Sequence, residues 1–291
     1  MKTIAAIGTH CDDLEVLCGG SMAKLVKLGY KVIYAITTNT SFYYPSDKEV
    51  SSGKFRSNNE INELRKDEAR EAARILGITE THFMDFKSLY WYPESREPGG
   101  LDRLQYLDGI NSTVDDFRYL KESIKGREIF VTAHRTPGGL SYVCDFLKSN
   151  NVDTIFTNTP DDLHWEHSLN AGLITFAVFK LFEEDNIKID VYALEHGNAG
   201  KMLQYDTPTH YMDITDTMDL KLESLKCFKS QSQDHSFTSV ISLVRKRAEN
   251  WGGIVGKKYA EVFTKMIIEP DQWEQINVPQ GYDSSKIKDI L

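Results

Sequence analysis

Short apolar runs alternate with amphipathic stretches along most of this chain. That alternation predicts a mostly parallel sheet flanked by helices. Thr3–Gly8 (TIAAIG) is the first run, apolar throughout, as a strand covered on both faces requires. Further strands are expected at 30–37 (YKVIYAIT), 82–86, 128–133, 153–157 (DTIFT) and 189–194 (IDVYAL). Between them, 21–29 (SMAKLVKLG) reads as a helix ending at Gly29. Residues 58–76 read as an amphipathic helix with Ile61, Leu64, Ala72, Ile75 and Leu76 inward. Leu169, Leu173 and Phe176 recur at helical spacing after 153–157, and helices near 217–229 and 238–251 complete the series. No repeat, low-complexity run or linker interrupts the pattern. The expectation is a single domain over 1–291, an α/β, Rossmann-like, doubly wound sheet.

Two polar clusters fall just past the carboxyl ends of predicted strands, where open α/β sheets place their ligands. The first is His10-Cys11-Asp12-Asp13-Leu14-Glu15, which runs on to Gly19-Gly20. The second is Asp162-Leu163-His164-Trp165-Glu166-His167. If the two strands are neighbours where the strand order reverses, both loops face one crevice. Two histidines and one aspartate would then suit a divalent ion and leave a coordination position open for water, as in catalytic zinc sites. A second carboxylate beside them is what hydrolysis needs in a general base.

At these motifs the chain resembles the PIG-L/LmbE-like family of zinc-dependent N-acetylglucosaminyl deacetylases. The family pattern is His-Pro-Asp-Asp-x-Glu followed by Gly-Gly, and later Asp-x-His-Pro-Asp-His. Cys11 stands here for the proline of the first motif and Trp165-Glu166 for the Pro-Asp of the second. Arg65-Lys66-Asp67-Glu68-Ala69 running on to Ile75-Leu76-Gly77 looks like the family's Arg-x-x-Glu-Ala helix. Asp213-Ile214-Thr215, Lys221, Ser230-Gln231 and Tyr259-Ala260-Glu261 with Phe263 look like its C-terminal region. Losing the proline leaves the first loop less rigid.

The resemblance implies Zn2+ held by His10, Asp13 and His167, with ferrous iron (Fe2+) able to occupy the same nitrogen and oxygen donors. Asp12 is then the general base, and His164 stabilises the oxyanion or protonates the leaving amine. Arg65 contacts substrate oxygens, while Glu15 supports the metal loop and Asp162 orients His164 from behind. The reaction implied is removal of the N-acetyl group from an amino sugar or its conjugate, giving acetate and a free amine. Two alternatives stay open: an amidase acting on a non-sugar or thiol-conjugate amide, and a non-catalytic metal-dependent sugar-binding module.

Each residue also has a plainer reading. Arg65 on a charged helix is ordinarily a solvated residue, Glu15 an exposed one, and Asp162 a helix cap. A fourth ligand at Cys11 would close the site, so packing suits it better. His134, His196, His210 and His235 are expected to be surface or hydrogen-bonded histidines rather than ligands.

Composition narrows the partners. The chain has 291 residues and a formal net charge of -9, which disfavours nucleic acid and anionic membranes. No apolar run reaches the roughly 20 residues of a membrane span. Four irregularly spaced cysteines suggest reduced thiols and a cytoplasmic setting. No GxGxxG follows the first strand, so a dinucleotide is not expected. The partner is a small amino-sugar substrate, and homo-oligomerisation is left open. Residues 89–134 break the regular pattern and are expected to hold specificity insertions. Trp91, between Tyr90 and Tyr92, is the candidate for stacking on a sugar ring.

Overall fold

The first strand shows how the sequence builds the sheet. In β1 (Thr3–Gly8) all six residues are buried, and alternate side chains enter opposite cores. Ile4 and Ala6 join one apolar cluster, Ala5 and Ile7 the other, so the unbroken apolar run is the signature of a strand covered on both faces. The structure, a computed structural model, describes residues 2–39, 43–88, 137–162, 164–195, 208–232, 236–266, 268 and 288–290.

After β1 come α1 (Asp13–Lys27), β2 (Lys31–Asn39), α2 (Asp47–Ser52), α3 (Asn58–Ile75) and β3 (Glu80–Lys87). Then follow α4 (Pro137–Ser149), β4 (Val152–Thr157), α5 (Trp165–Asp185) and β5 (Asp190–Leu194). The C-terminal part adds β6 (His210–Asp213), α6 (Met218–Leu225), a 3-10 turn (Lys229–Gln231), α7 (Thr238–Val255), β7 (Ala260–Met266) and β8 (Lys288–Asp289). These strands form one eight-stranded sheet of order β3-β2-β1-β4-β5-β7-β6-β8. β1 to β5 run parallel; β7 is antiparallel to both β5 and β6, and β8 is parallel to β6. The sheet is thus mostly parallel, and the chain winds outward in both directions from the β1–β4 pair. One core packs buried residues of α1, α3, α6 and α7 on one face of the sheet, and the other packs α4 and α5 on the opposite face.

Two departures from the periodicity are informative. Helix α1 starts at Asp13, eight residues before the expected Ser21, and is kinked at Cys18 (φ -141, ψ 17). The kink orphans backbone groups that distant side chains satisfy. Glu261 of β7 accepts from the N–H groups of Gly20 and Ser21 and from Ser21 Oγ. Lys221 of α6 pairs with Glu261 and donates to the Val16 carbonyl. One buried ion pair therefore caps both halves of the broken helix. It also fixes the direction of the first turn, which carries Asp13 and Glu15. The helix does stop near Gly29, which takes φ 85 while Tyr30 N bonds back to Leu25 O.

In α5, Leu173 is buried as expected and Leu169 half-buried, but Phe176 is 53 % exposed. Its buried face runs instead through Ala171, Ile174, Ala177 and Val178. Helix α3 begins on a Ser57–Glu60 capping box and buries Ile61, Ala72 and Leu76, with Leu64 and Ile75 only partly covered. The expected strand at 128–133 lies outside the described residues, as does the whole of 89–134.

Candidate metal and hydrolytic site

β1 and β4 are hydrogen-bonded neighbours, with Ile7 opposite Thr157, and the strand order reverses between them. Their carboxyl ends open into the two polar loops. A crevice at such a reversal is where doubly wound sheets bind ligands. A buried polar layer joins the loops from beneath: Thr9 Oγ1 and Asn170 Nδ2 both donate to Asn158 Oδ1, at 2.9 and 2.8 Å.

Above that layer His10, Asp13 and His167 converge. His10 Nδ1 and His167 Nε2 are 3.3 Å apart, and His167 Nε2 is 3.2 Å from Asp13 Oδ1. Donors bound tetrahedrally at zinc distances of 2.0–2.1 Å would be separated by about 3.3 Å, which these two pairs match; the third pair is wider, with His10 Nδ1 3.7 Å from Asp13 Oδ2. The tautomers fit as well. His10 Nε2 donates to Glu166 Oε2 at 2.8 Å, which turns its Nδ1 lone pair to the centre. His167 Nδ1 donates to Asp162 Oδ2 at 2.9 Å, which turns its Nε2 there. Each imidazole is thereby oriented by a carboxylate behind it, the arrangement that raises ligand basicity in metal sites. Asp13 Oδ2 is held by the backbone N–H groups of Thr9 and His10, at 3.0 and 2.9 Å, leaving Oδ1 to face inward.

Electrostatics follow from this crowding. Burial alone would depress both histidines. The neighbouring carboxylates of Asp13 and Glu166 outweigh it and raise His10 to about 9, while Asp13 and Asp162 raise His167 to about 10. For Asp13, burial is opposed by the charges and hydrogen bonds of His167 and His10, which hold the carboxyl well below its usual range. A divalent cation would replace the protons that these ligands share.

Asp12 is different. It is 21 % exposed in its side chain and has φ 125 and ψ -24, outside the regions an L residue prefers. Such a conformation costs on the order of 1–3 kcal/mol and persists only where neighbours enforce it. Burial pushes its pKa up to about 6 against the opposing charge of Arg65, with Asp13 adding to the rise. That is a carboxylate poised near neutrality, as a general base requires.

His164, half-buried at the N-cap of α5, lies within the same group. Its ring centroid is 4.9 Å from that of His10 and 4.4 Å from that of His167. One nitrogen from each of these three histidines lies within 4.8 Å of the others. Burial and its two neighbours lower His164 to about 4, so it is a neutral imidazole that can donate a hydrogen bond to a developing oxyanion.

Other expected residues fall as follows. Asp162 orients His167 rather than His164, and its Oδ1 accepts from the His164 backbone N–H at 2.8 Å. Glu15 is fully buried, accepts from Tyr34 Oη at 3.2 Å and is pushed up to about 8 by burial. Arg65 is 3 % exposed and turns inward, donating to the Cys11 carbonyl at 2.6 Å and lying 3.4 Å from Asp12 Oδ1. Cys11 packs in the core with its thiol pushed up to about 12 by burial. His210 sits on β6, three strands from β4, with Thr209 Oγ1 at 2.8 Å. Trp91, His134, His196 and His235 lie outside the described residues.

Sequence reasoning missed Glu166 and Ser88. Glu166 is fully buried, and Ser88 Oγ donates to its two oxygens at 2.9 and 3.2 Å. The available signal was positional: Glu166 keeps a carboxylate where the resembled motif has aspartate, immediately before the candidate ligand His167.

Comparison with known proteins adds lineage. The profile of the GlcNAc-PI de-N-acetylase (PIG-L) family matches residues 5–179. A diacetylchitobiose deacetylase of Thermococcus kodakarensis is 23 % identical over 263 residues, covering 90 % of this chain and 82 % of its own. Among solved structures, the N,N'-diacetylchitobiose deacetylase of Pyrococcus horikoshii, complexed with an inhibitor, aligns with a TM-score of 0.64 at 18 % identity, over 94 % of this chain and 89 % of that one. The 4-carboxy-2-hydroxymuconate hydratase of Pseudomonas putida aligns with a TM-score of 0.60 at 16 % identity, over 97 % and 100 %. At these identities the structural likeness speaks to the fold, which supports more than one chemistry.

Proposed function

The chain belongs to the GlcNAc-PI de-N-acetylase (PIG-L) family, and from that premise we propose that it is a metal-dependent hydrolase removing the N-acetyl group from an N-acetylated amino sugar or its conjugate. One observation carries the reading. His167 Nε2 stands at tetrahedral spacing from both His10 Nδ1 and Asp13 Oδ1, and Asp12, next in chain to Asp13, is not spent on the convergence.

A divalent ion at these donors supplies Lewis acidity, polarising an amide carbonyl and lowering the pKa of water. Two imidazoles and one carboxylate suit zinc, with ferrous iron the competing occupant. Asp12 takes the proton of the water that attacks the acetyl carbonyl. His164 donates a hydrogen bond to the carbonyl oxygen as charge develops there. Asp12, now protonated, returns the proton to the leaving nitrogen, and acetate and a free amine result. The diacetylchitobiose deacetylase relative supports an amino sugar as substrate.

We take the chain as one domain in which 89–134 sets substrate choice, with Trp91 stacking on the sugar. The four free cysteines suit a reducing, cytoplasmic setting. The test is acetate release after chelation and titration with zinc or ferrous iron. Substrates are N-acetylglucosamine, N,N'-diacetylchitobiose and, for contrast, N-acetylated amino acids. Metal-dependent acetate from the sugars is expected. Silence on every N-acetyl sugar, or preference for the acylated amino acids, would overturn the proposal.

A further inference from the structure

Asp12 carries the proton in the reaction above, yet its backbone stands at φ 125, where side chains other than glycine are disfavoured. Something must hold it there, and the loop's own hydrogen bonds tie the chain on either side of the Cys11–Asp12 peptide. Val16 N bonds to the Asp12 carbonyl at 3.0 Å, Asp13 N bonds back to the His10 carbonyl at 3.3 Å, and Asp13 Oδ2 accepts from the N–H groups of Thr9 and His10. The peptide entering Asp12 is the one whose oxygen belongs to Cys11. That oxygen lies in the same plane as the Asp12 N–H, so fixing its direction fixes φ of Asp12. Arg65 Nη2 donates to it at 2.6 Å, and the same nitrogen lies 3.4 Å from Asp12 Oδ1.

Resting on the deacetylase reading, we infer that Arg65 is a positioning residue: it holds the Cys11–Asp12 peptide and the Asp12 carboxylate in their working geometry, and it is not primarily a substrate ligand. Its burial agrees with this, since at 3 % exposure the side chain is committed inward. Helix α3, which delivers Arg65, is itself tied down one turn later. There Glu68 accepts from the backbone N–H and Oγ of Ser230, at 2.9 and 2.6 Å. The guanidinium therefore works from a fixed base rather than from the end of a free side chain.

The two roles separate kinetically and by backbone protection. In metal-loaded, full-length Arg65→Ala, kcat for acetate release should fall about 10²-fold, the scale of a misplaced catalytic group, with KM within about twofold and metal content unchanged. Millimolar guanidinium should restore part of kcat to Arg65→Ala and none to Asp12→Asn. Hydrogen exchange should accelerate in the peptide spanning residues 9–16 of Arg65→Ala, a readout independent of turnover. Arg65→Lys, which keeps a donor, should lie between wild type and alanine in kcat, and it decides the matter if the alanine variant fails to fold. A KM raised tenfold or more with kcat retained would instead make Arg65 a substrate contact. Unchanged exchange in residues 9–16 would overturn the inference even if the chain released no acetate at all. Absence of acetate from wild type, by contrast, would count against the deacetylase reading alone.

Discussion

Removing Glu166 should weaken metal binding in a way that depends on pH, and the two opposing contributions can be read from the site. Glu166 is fully buried, its Oε2 is 2.8 Å from His10 Nε2, and Ser88 Oγ bonds both of its oxygens. It fixes the His10 tautomer and strengthens Nδ1 as a donor. Loss of such a partner typically costs 10–100-fold in metal affinity, about 1.4–2.7 kcal/mol. The opposing effect is proton competition. Burial lowers the basicity of His10, but the neighbouring carboxylates of Asp13 and Glu166 overcome this and raise it to about 9. At pH 7 the incoming metal must therefore displace a proton that Glu166 helps to hold. Deleting the carboxylate eases that displacement, so part of the loss is recovered below pH 9 and none of it well above. Zinc affinity of Glu166→Ala, measured against a competing chelator dye, should be about 10–100-fold weaker than wild type at pH 9, with a narrower gap at pH 7. Glu166→Gln, which keeps an acceptor oxygen without the charge, should fall between them. An affinity loss identical at both pH values, or none at pH 9, would refute the orienting role.

Two further outcomes follow from the core beneath the site. Glu15, buried and pushed up to about 8, keeps its proton in the folded state well above the unfolded value of about 4.3. Its contribution to stability is therefore full below about pH 4 and lost as pH rises toward 8. Glu15→Gln should lack that decline, so thermal melts should show its stability relative to wild type rising from pH 5 to pH 8; a constant difference would contradict the burial argument. Gly20 has no room for a side chain, since a Cβ there would lie 2.8 Å from Ile214 Cδ1 and 2.9 Å from Ile214 Cβ. Gly20→Ala should cost about 1–3 kcal/mol by overpacking, and Ile214→Val should recover part of it. Additive melting shifts in the double variant would exclude that contact as the cause.

Much of the site was legible because its residues are local in sequence and sit where fold topology puts them. His10, Asp12 and Asp13 follow one buried strand, His164 and His167 follow another, and the β1–β4 pairing brings the two together. What the pattern hid depends on distant partners. The first turn of α1 was unreadable because Gly19-Gly20 looks like a helix stop. The helix crosses it only because Glu261 and Lys221, more than 200 residues away, supply the missing caps. Arg65 read on its own as a solvated charge because its helix carries many charges, and the packing of α3 turns it toward Cys11. Phe176 kept helical spacing yet faces outward, since the buried face of α5 is lined by smaller residues offset from the expected stripe. The edge of β7, β6 and β8, in which β7 runs against the rest, left no clear mark, being built partly from strands of four and two residues.

The central claim is that one aspartate of the adjacent pair binds metal while the other moves protons. Metal content and acetate release, measured together in Asp12→Asn and Asp13→Asn, test it most directly. Asp12→Asn should retain about one metal per chain and lose roughly 10²-fold or more in turnover, as expected for removal of a general base. Asp13→Asn should lose metal and activity together. An Asp12→Asn protein that turns over like wild type, or an Asp13→Asn protein that binds metal undiminished, would contradict the division of labour between the two carboxylates.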